Sequence, residues 1–309
     1  MILLLGDLLL DLFAQPLGAT VEEATSFLPR QGGAVANVAA VLGHRGVPCR
    51  LLAGVGRDAH GRRLTRSLAR AGVDVTGVLD SAVPTGVVFI QVDAAGERSF
   101  VGYGGGAEKE LSLGALRAAL GDPLAGARWF HTASGALEGG PLEEAARTLI
   151  AEANGRGLPL SVDLNIRRHK WDSADRLQQA VRWLASRSAV LRASEDDLAA
   201  LGLPADLDQL ASLAPSAAVV LTRGLRGAVA RVGDLTLEQP AHAARAVEST
   251  GAGDAFTAGL LSVVALDPAA RLDPARWRHA LAVASELGAR AVEACGATAA
   301  FAGPDDAAG

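Results

Sequence analysis

Cysteine is nearly missing from this chain: Cys49 and Cys295 are the only two and lie far apart in sequence, so neither a disulfide framework nor a structural zinc site is encoded. A reducing cytoplasm is the expected compartment. Lysine is equally scarce. Lys109 and Lys170 are the only ones, and no GxxxxGK[ST] stretch occurs, which removes a P-loop lysine from any phosphate chemistry. A phosphate clamp must then use arginine, backbone amides or a metal ion. Excess positive charge is lacking as well. Against 34 acidic residues there are 29 basic ones, and the resulting net charge of −5 offers no electrostatic footprint for nucleic acid. No apolar run approaches the roughly 18 residues of a membrane span. The apolar opening Met1 to Leu5 has no basic flank and is interrupted by Gly6, Asp7 and Asp11, so it reads as a buried first strand and not as a signal peptide.

What is present is a large core in the making. Half of the 309 residues are hydrophobic, which suits one α/β domain spanning 1–309 with an insertion. Short apolar strands alternating with helices from Leu111 onwards imply a parallel sheet: Ala127 to Thr132, Leu158 to Leu164, Ser188 to Arg192 and Ala217 to Thr222. Thr85 to Val92 and Arg98 to Tyr103, joined by the turn Asp93 to Glu97, read as a β-hairpin, and Thr20 to Pro29 is expected to add a strand to this smaller sheet.

The stretch Glu248-Ser249-Thr250-Gly251-Ala252-Gly253-Asp254-Ala255-Phe256 organises the rest. Gly251 and Gly253 allow a tight turn and close approach of a ligand, and Phe256, Leu260 and Val264 share a helical face just beyond. Free N–H groups at such a helix start favour an anion. Asp254 in the first turn would serve as a cap on its own; the flanking glycines, which a cap does not require, point to a carboxylate placed beside a phosphate site. Upstream, Gln31-Gly32-Gly33-Ala34-Val35-Ala36-Asn37 is a tight turn onto a helix, where Asn37 offers both a donor and an acceptor to a diol. Ile2 to Leu5 followed by Asp7 and Asp11 reads as a central strand delivering carboxylates at its C-terminal end. Asp163-Leu164-Asn165-Ile166-Arg167 puts three polar side chains at alternate positions leaving a strand, converging on one side.

Thr250 to Phe256 resembles the signature of the PfkB, or ribokinase-like, family of carbohydrate kinases, and three further stretches occur in that family's order. Gly32, Gly33 and Asn37 match its GGxxAN element. Asp163 to Trp171 resembles the DxNxRxxxW element of its fructokinase and 2-keto-3-deoxygluconate kinase branches, and Thr222 to Gly227 resembles its TxGxxG nucleotide loop. The resemblance implies an α/β, ribokinase-like fold: a central mostly parallel sheet flanked by helices, with a small β-sheet lid formed by about 12–30 and 84–104. It implies an ATP-dependent sugar kinase of fructokinase-like type. Asp254 is then the base and Gly251, Ala252 and Gly253 the anion hole. Asp11, Gly32, Gly33, Asn37 and Arg167 contact the sugar, and Asn165, Ser194, Thr222, Gly224, Gly227 and Thr250 line the nucleotide. Ser194 and Asp197 replace the family's Asn and Glu; Asp197 is expected to order metal-bound water. ATP and Mg²⁺ are the implied cofactors, a monovalent cation a further option, and a homodimer through the lid the implied assembly. Arg167 suits a phosphate or a sugar-acid carboxylate equally, but no arginine lies in Tyr103 to Ala107, which disfavours a 2-keto-3-deoxygluconate kinase. A kinase of ribose or of nucleosides, and a non-catalytic binding module, stay open as further readings. A dinucleotide enzyme would need GxGxxG after the first strand, and Gly6-Asp7-Leu8 does not supply it.

Overall fold

Strand β1 (Ile2–Leu5) shows how the core is divided. Ile2 and Leu4 point to one side of the sheet and Leu3 and Leu5 to the other, and all four are buried, as period-2 alternation in a strand covered on both faces requires. Each fully buried leucine contributes about 2 kcal/mol of hydrophobic stabilisation. The computed structural model describes residues 1–93 and 98–302.

After β1 the chain leaves the main sheet. β2 (Leu9–Gln15) and β3 (Ser26–Gly32) pair antiparallel, and α1 (Ala34–His44) follows directly. The chain returns through β4 (Cys49–Gly56), α2 (Ala59–Arg70) and β5 (Asp74–Ser81), with Asp58 capping α2 by accepting from the Gly61 N–H at 2.8 Å. A second excursion, β6 (Val87–Val92) and β7 (Arg98–Gly104), completes a four-stranded sheet in the order β3-β2-β6-β7. The expected hairpin is present as an antiparallel pair, although residues 94–97 of its turn lie outside the described residues.

The remainder is regular α/β winding: α3 (Leu113–Leu120), β8 (Trp129–Ala133), α4 (Gly140–Gly155), β9 (Leu160–Asp163), α5 (Ala174–Ala185) and β10 (Val190–Ser194). Then come α6 (Glu195–Ala200), α7 (Leu207–Leu213) and β11 (Ala218–Thr222), followed by β12 (Ala228–Val232), β13 (Leu235–Gln239), α8 (Ala252–Val264) and α9 (Pro274–Ala291). The main sheet runs β13-β12-β11-β10-β9-β8-β1-β4-β5, parallel throughout except for β12 and β13. This is the ribokinase-like architecture expected, and no described helix is long and apolar enough to cross a membrane.

Two expectations need correction. Asp11 does not leave the end of the central strand; it sits in the middle of β2, opposite Arg30 of β3, because the chain turns at Gly6 to Leu8 and starts a new strand in the small sheet. The added strand of that sheet is β3, Ser26–Gly32, so most of Thr20 to Pro29 precedes it or falls in its first half. In α8 the expected Phe256, Leu260 and Val264 are buried, and so is the rest of Ala255 to Ser262, because α1 and α9 both pack against it.

Candidate active site

The turn into α8 is set by its backbone. Gly251, the residue before the helix, has φ 79° and ψ −1°, a left-handed conformation, and a Cβ there would lie 2.5 Å from the Cα of Ala297. Glycine is therefore required on two counts. Glu248 holds the same turn from beneath. Its buried carboxylate accepts from the Thr250 N–H at 2.6 Å and from the Gly296 N–H at 2.8 Å. No side chain caps the start of α8, so its first amides and the positive end of its dipole stay available to an anion. Thr250 is buried beside them, and its hydroxyl has no partner among the described residues.

Asp254 lies in this first turn, and α1 reaches it. Asn37 Nδ2 donates to Asp254 Oδ2 at 2.8 Å, while Asn37 Oδ1 is buried with no hydrogen-bond partner among the described residues. The Asn37 amide thus orients the carboxylate and keeps one acceptor for a hydroxyl, a division of labour that its sequence context does not reveal. Gly33 is the residue before α1, with φ 99° and the backbone carbonyl of Asp7 at 2.4 Å from where a Cβ would be. Asn37 stands one turn further, its N–H on the Gly33 carbonyl at 2.8 Å. Asp11 is buried and packs so closely on Gly32 that a Cβ there would sit 2.4 Å from its carboxyl carbon. Asp11, Gly32, Gly33, Asn37, Asp254 and the Gly251–Gly253 turn therefore form one continuous chain of contacts.

The ends of β9, β10 and β11 bring up the other side. Ser194 pairs with Thr222 in the sheet register, which places Gly224 and Gly227, both with positive φ, in the loop immediately beyond. Leu225 between them is 98% exposed, so this loop faces open solvent. Asn165 carries a positive φ of 36° in the loop after β9, and Arg167 two residues on stacks over the Phe100 ring of β7 at 5.6 Å. Arg167 is a bridge between the main and small sheets.

One expected arrangement differs in the structure. Asp163 does not converge with Asn165 and Arg167; β9 ends at Asp163, and its carboxylate turns inward to accept from Arg192 Nη1 at 2.9 Å and from the Thr257 hydroxyl at 2.9 Å. Asp197 serves as a capping residue at the start of α6. Its Oδ2 accepts from the Ser194 N–H and hydroxyl at 2.7 and 2.8 Å, its Oδ1 accepts from the Ile166 N–H at 2.6 Å, and it is buried. Ser194 answers by accepting from the Asp197 N–H at 3.1 Å, a capping box at the start of α6. Both hydroxyl and carboxylate are thereby engaged inside the protein. Among the described residues no group of three or more His, Cys, Asp or Glu side chains is arranged to hold a metal. The donor set does not fit a protein-ligated Mg²⁺.

Several charged groups that local spacing does not announce also gather. A cavity of about 270 Å³ between the small sheet and the main body is lined by Leu9, Gly86, Glu108, Lys109 and Lys170 among others, so the only two lysines of the chain meet in one place. Glu138 stands 4.0 Å from Lys109 Nζ; burial raises its pKa to about 7, against the pull of Lys170 and Lys109 and with the push of Asp7 and Glu108. Their separation along the chain hides the cluster, and only the scarcity of lysine marks it.

The model of the pfkB family of carbohydrate kinases matches residues 1–302. A fructokinase from Klebsiella pneumoniae is 30% identical over 98% of this chain and 96% of its own length. Among solved structures, a fructokinase from Vibrio cholerae O395 with fructose, ADP and calcium ion bound is 25% identical with a TM-score of 0.83, covering 98% of this chain and 96% of that one. An aminoimidazole riboside kinase from Salmonella enterica, complexed with aminoimidazole riboside and an ATP analogue, is 26% identical with a TM-score of 0.82, covering 98% and 97%.

Proposed function

We propose, for a chain that belongs to the pfkB family of carbohydrate kinases and is thus a phosphotransferase acting on a sugar hydroxyl, that Asp254 is the base and the start of α8 the anion hole. One observation carries this assignment: the Asp254 carboxylate, oriented by Asn37 at 2.8 Å, lies in the first turn of a helix whose opening amides have no capping side chain. The sugar hydroxyl gives its proton to Asp254 as its oxygen attacks the γ-phosphorus of ATP. The amides of the Gly251–Gly253 turn meet the charge on the transferring group, which needs positioning and neutralisation more than covalent help. Asp11, Gly32, Gly33 and Asn37 hold the acceptor. Arg167 ties the small sheet over it, and Thr222, Gly224, Gly227 and Thr250 border the nucleotide. Mg²⁺ would enter with the nucleotide, and no step is assigned to residues of this chain through it. The similarity to fructokinases supports fructose as acceptor.

A second acceptor is favoured by a separate observation. Lys109 and Lys170 line the cavity beneath the small sheet, where they would receive the carboxylate of a sugar acid such as 2-keto-3-deoxygluconate. A homodimer through the small sheet is supported by the half-exposed Phe27–Phe89 pair, whose rings meet edge to face at 5.3 Å. Sedimentation of the intact protein as a monomer would remove that part. For the reaction itself, ADP release is measured with ATP and Mg²⁺ over fructose, ribose, 2-keto-3-deoxygluconate and nucleosides. Turnover on one acceptor that falls by about 10³-fold in Asp254→Asn, with nucleotide binding kept, is the expected result. Near-normal turnover in that variant would exclude Asp254 as base, and silence across the panel with ATP still bound would favour a binding module.

A further inference from the structure

Arg192 is the third residue of β10 and the only charged side chain in that strand, and it is buried. A guanidinium persists in the interior only where carboxylates and other acceptors meet it. Nη1 donates to both oxygens of Asp163, at 2.9 and 3.1 Å, and Nη2 donates to the Thr222 hydroxyl at 2.6 Å. The Thr222 hydroxyl in turn donates to the Ala193 carbonyl at 3.3 Å, so its orientation is determined from both sides. Nε is buried with no partner among the described residues.

The position of this cation is unusual for a stabilising role. A Cβ on Gly253 would lie 3.0 Å from both Nη atoms, which puts the guanidinium against Gly253 in the first turn of α8. Helix dipoles favour anions at that end and cations at the other. Arg192 therefore adds positive charge where the peptide dipoles are already positive, an arrangement that is most favourable with an anion in front of it. The carboxylates that face it are Asp163 at the end of β9, Asp197 at the start of α6 and Asp254 in α8; burial works against its charge, and these three outweigh burial. Thr222 and Thr257 are the neutral groups of the cluster.

We propose that Arg192 is a positioning residue for the phosphoryl transfer, supplying fixed positive charge beside the first turn of α8 and holding the Thr222 hydroxyl at the nucleotide side. The inference rests on the kinase reading of this site. In the transfer the bond from the γ-phosphorus to its bridging oxygen breaks, the bond to the acceptor oxygen forms, and the acceptor's proton goes to Asp254. Arg192 makes and breaks no bond; its field favours the negative charge gathered at the amides. Lysine would carry the charge but could not span Asp163 and Thr222 with one planar fork.

The test uses Arg192→Lys and the paired variant Arg192→Gln with Asp163→Asn, which removes both charges and keeps hydrogen-bonding side chains. Melting curves are recorded with kcat and with KM for ATP and for the acceptor. The paired variant is expected to melt cooperatively and to lose about 10²-fold in kcat with acceptor KM nearly unchanged. Arg192→Lys is expected to lose about tenfold in kcat, again with acceptor KM nearly unchanged. Wild-type kcat in a folded paired variant, or an effect confined to KM, would reduce Arg192 to a structural role. If the paired variant does not fold, unchanged kcat and unchanged KM for ATP in Arg192→Lys would overturn the proposal. Silence of the wild-type protein on every acceptor would remove the kinase reading and this inference with it.

Discussion

The start of α8 and the cavity beneath the small sheet handle charge in opposite ways. At the helix, Arg192 donates to Asp163 and to Thr222, Glu248 holds two backbone amides, and Asn37 holds Asp254, so the charged groups are positioned by bonds within the protein, while Asn37 Oδ1 and the Thr250 hydroxyl have no hydrogen-bond partner among the described residues. At the cavity, the lining residue Lys109 stands 4.0 Å from Glu138 behind it, Glu108 Oε2 is buried without a hydrogen-bond partner among the described residues, and burial pushes the pKa of Glu138 up to about 7. Preorganised dipoles suit chemistry that is the same for every acceptor. Loosely paired charges suit recognition, where the ligand supplies the missing partners.

The sharpest way to break this contrast is to disturb the preorganised end. Gly251→Ala forces a Cβ into left-handed backbone and against Ala297, and we expect about 10³-fold loss of kcat together with a lower melting temperature. Full activity would show that the turn adapts. Asn37→Ala leaves Asp254 without its orienting donor; a fall of about 10²-fold in kcat, larger than any rise in acceptor KM, is expected from steady-state kinetics. An effect confined to KM would return Asn37 to a purely sugar-binding role.

Asp197→Ala separates capping from metal handling. Losing three internal hydrogen bonds is expected to destabilise the fold by about 2 kcal/mol in denaturant melts, with the dependence of rate on Mg²⁺ concentration unchanged. A shifted Mg²⁺ dependence would restore the metal-water role. The smallest effect belongs to the cavity. Glu138 has a folded pKa raised above its unfolded value, so the folded state binds more protons, and its favourable contribution fades as pH rises from about 4.5 to about 7. Glu138→Gln should flatten that part of the melting-temperature profile by a few degrees at most; an unchanged slope would show that Glu138 does not titrate there.

The motifs are readable where the chemistry is local. Thr250 to Asp254 and Gly32 to Asn37 each compress a turn, a helix start and a polar side chain into a few residues, and the folded chain joins the two by the Asn37–Asp254 bond. Alternation and helical period likewise mark the strands of the main sheet within a few residues of their observed ends. Local pattern misleads where a polar residue has two local explanations. Asp11 follows an apolar strand closely enough to pass for its end, yet the chain turns at Gly6 to Leu8 and carries it into another sheet. Asp197 stands in an acidic run whose partners the sequence does not name, and only the Ile166 and Ser194 donors show it to be a buried cap. Arg192 does carry a signal, a lone charge inside its strand, which demands a buried partner without naming it.

By itself, the sequence determined the fold class, the two glycine turns and Asp254 with its helix, because these follow from backbone conformation and hydrophobic period over short stretches. Only the tertiary structure decided that Asp163 faces Arg192, that both lysines share one cavity, and that Asn37 orients Asp254. Those pairings join residues separated by a helix or by most of the chain, and parallel strands bring them together through sheet register and layer packing, which local spacing does not encode.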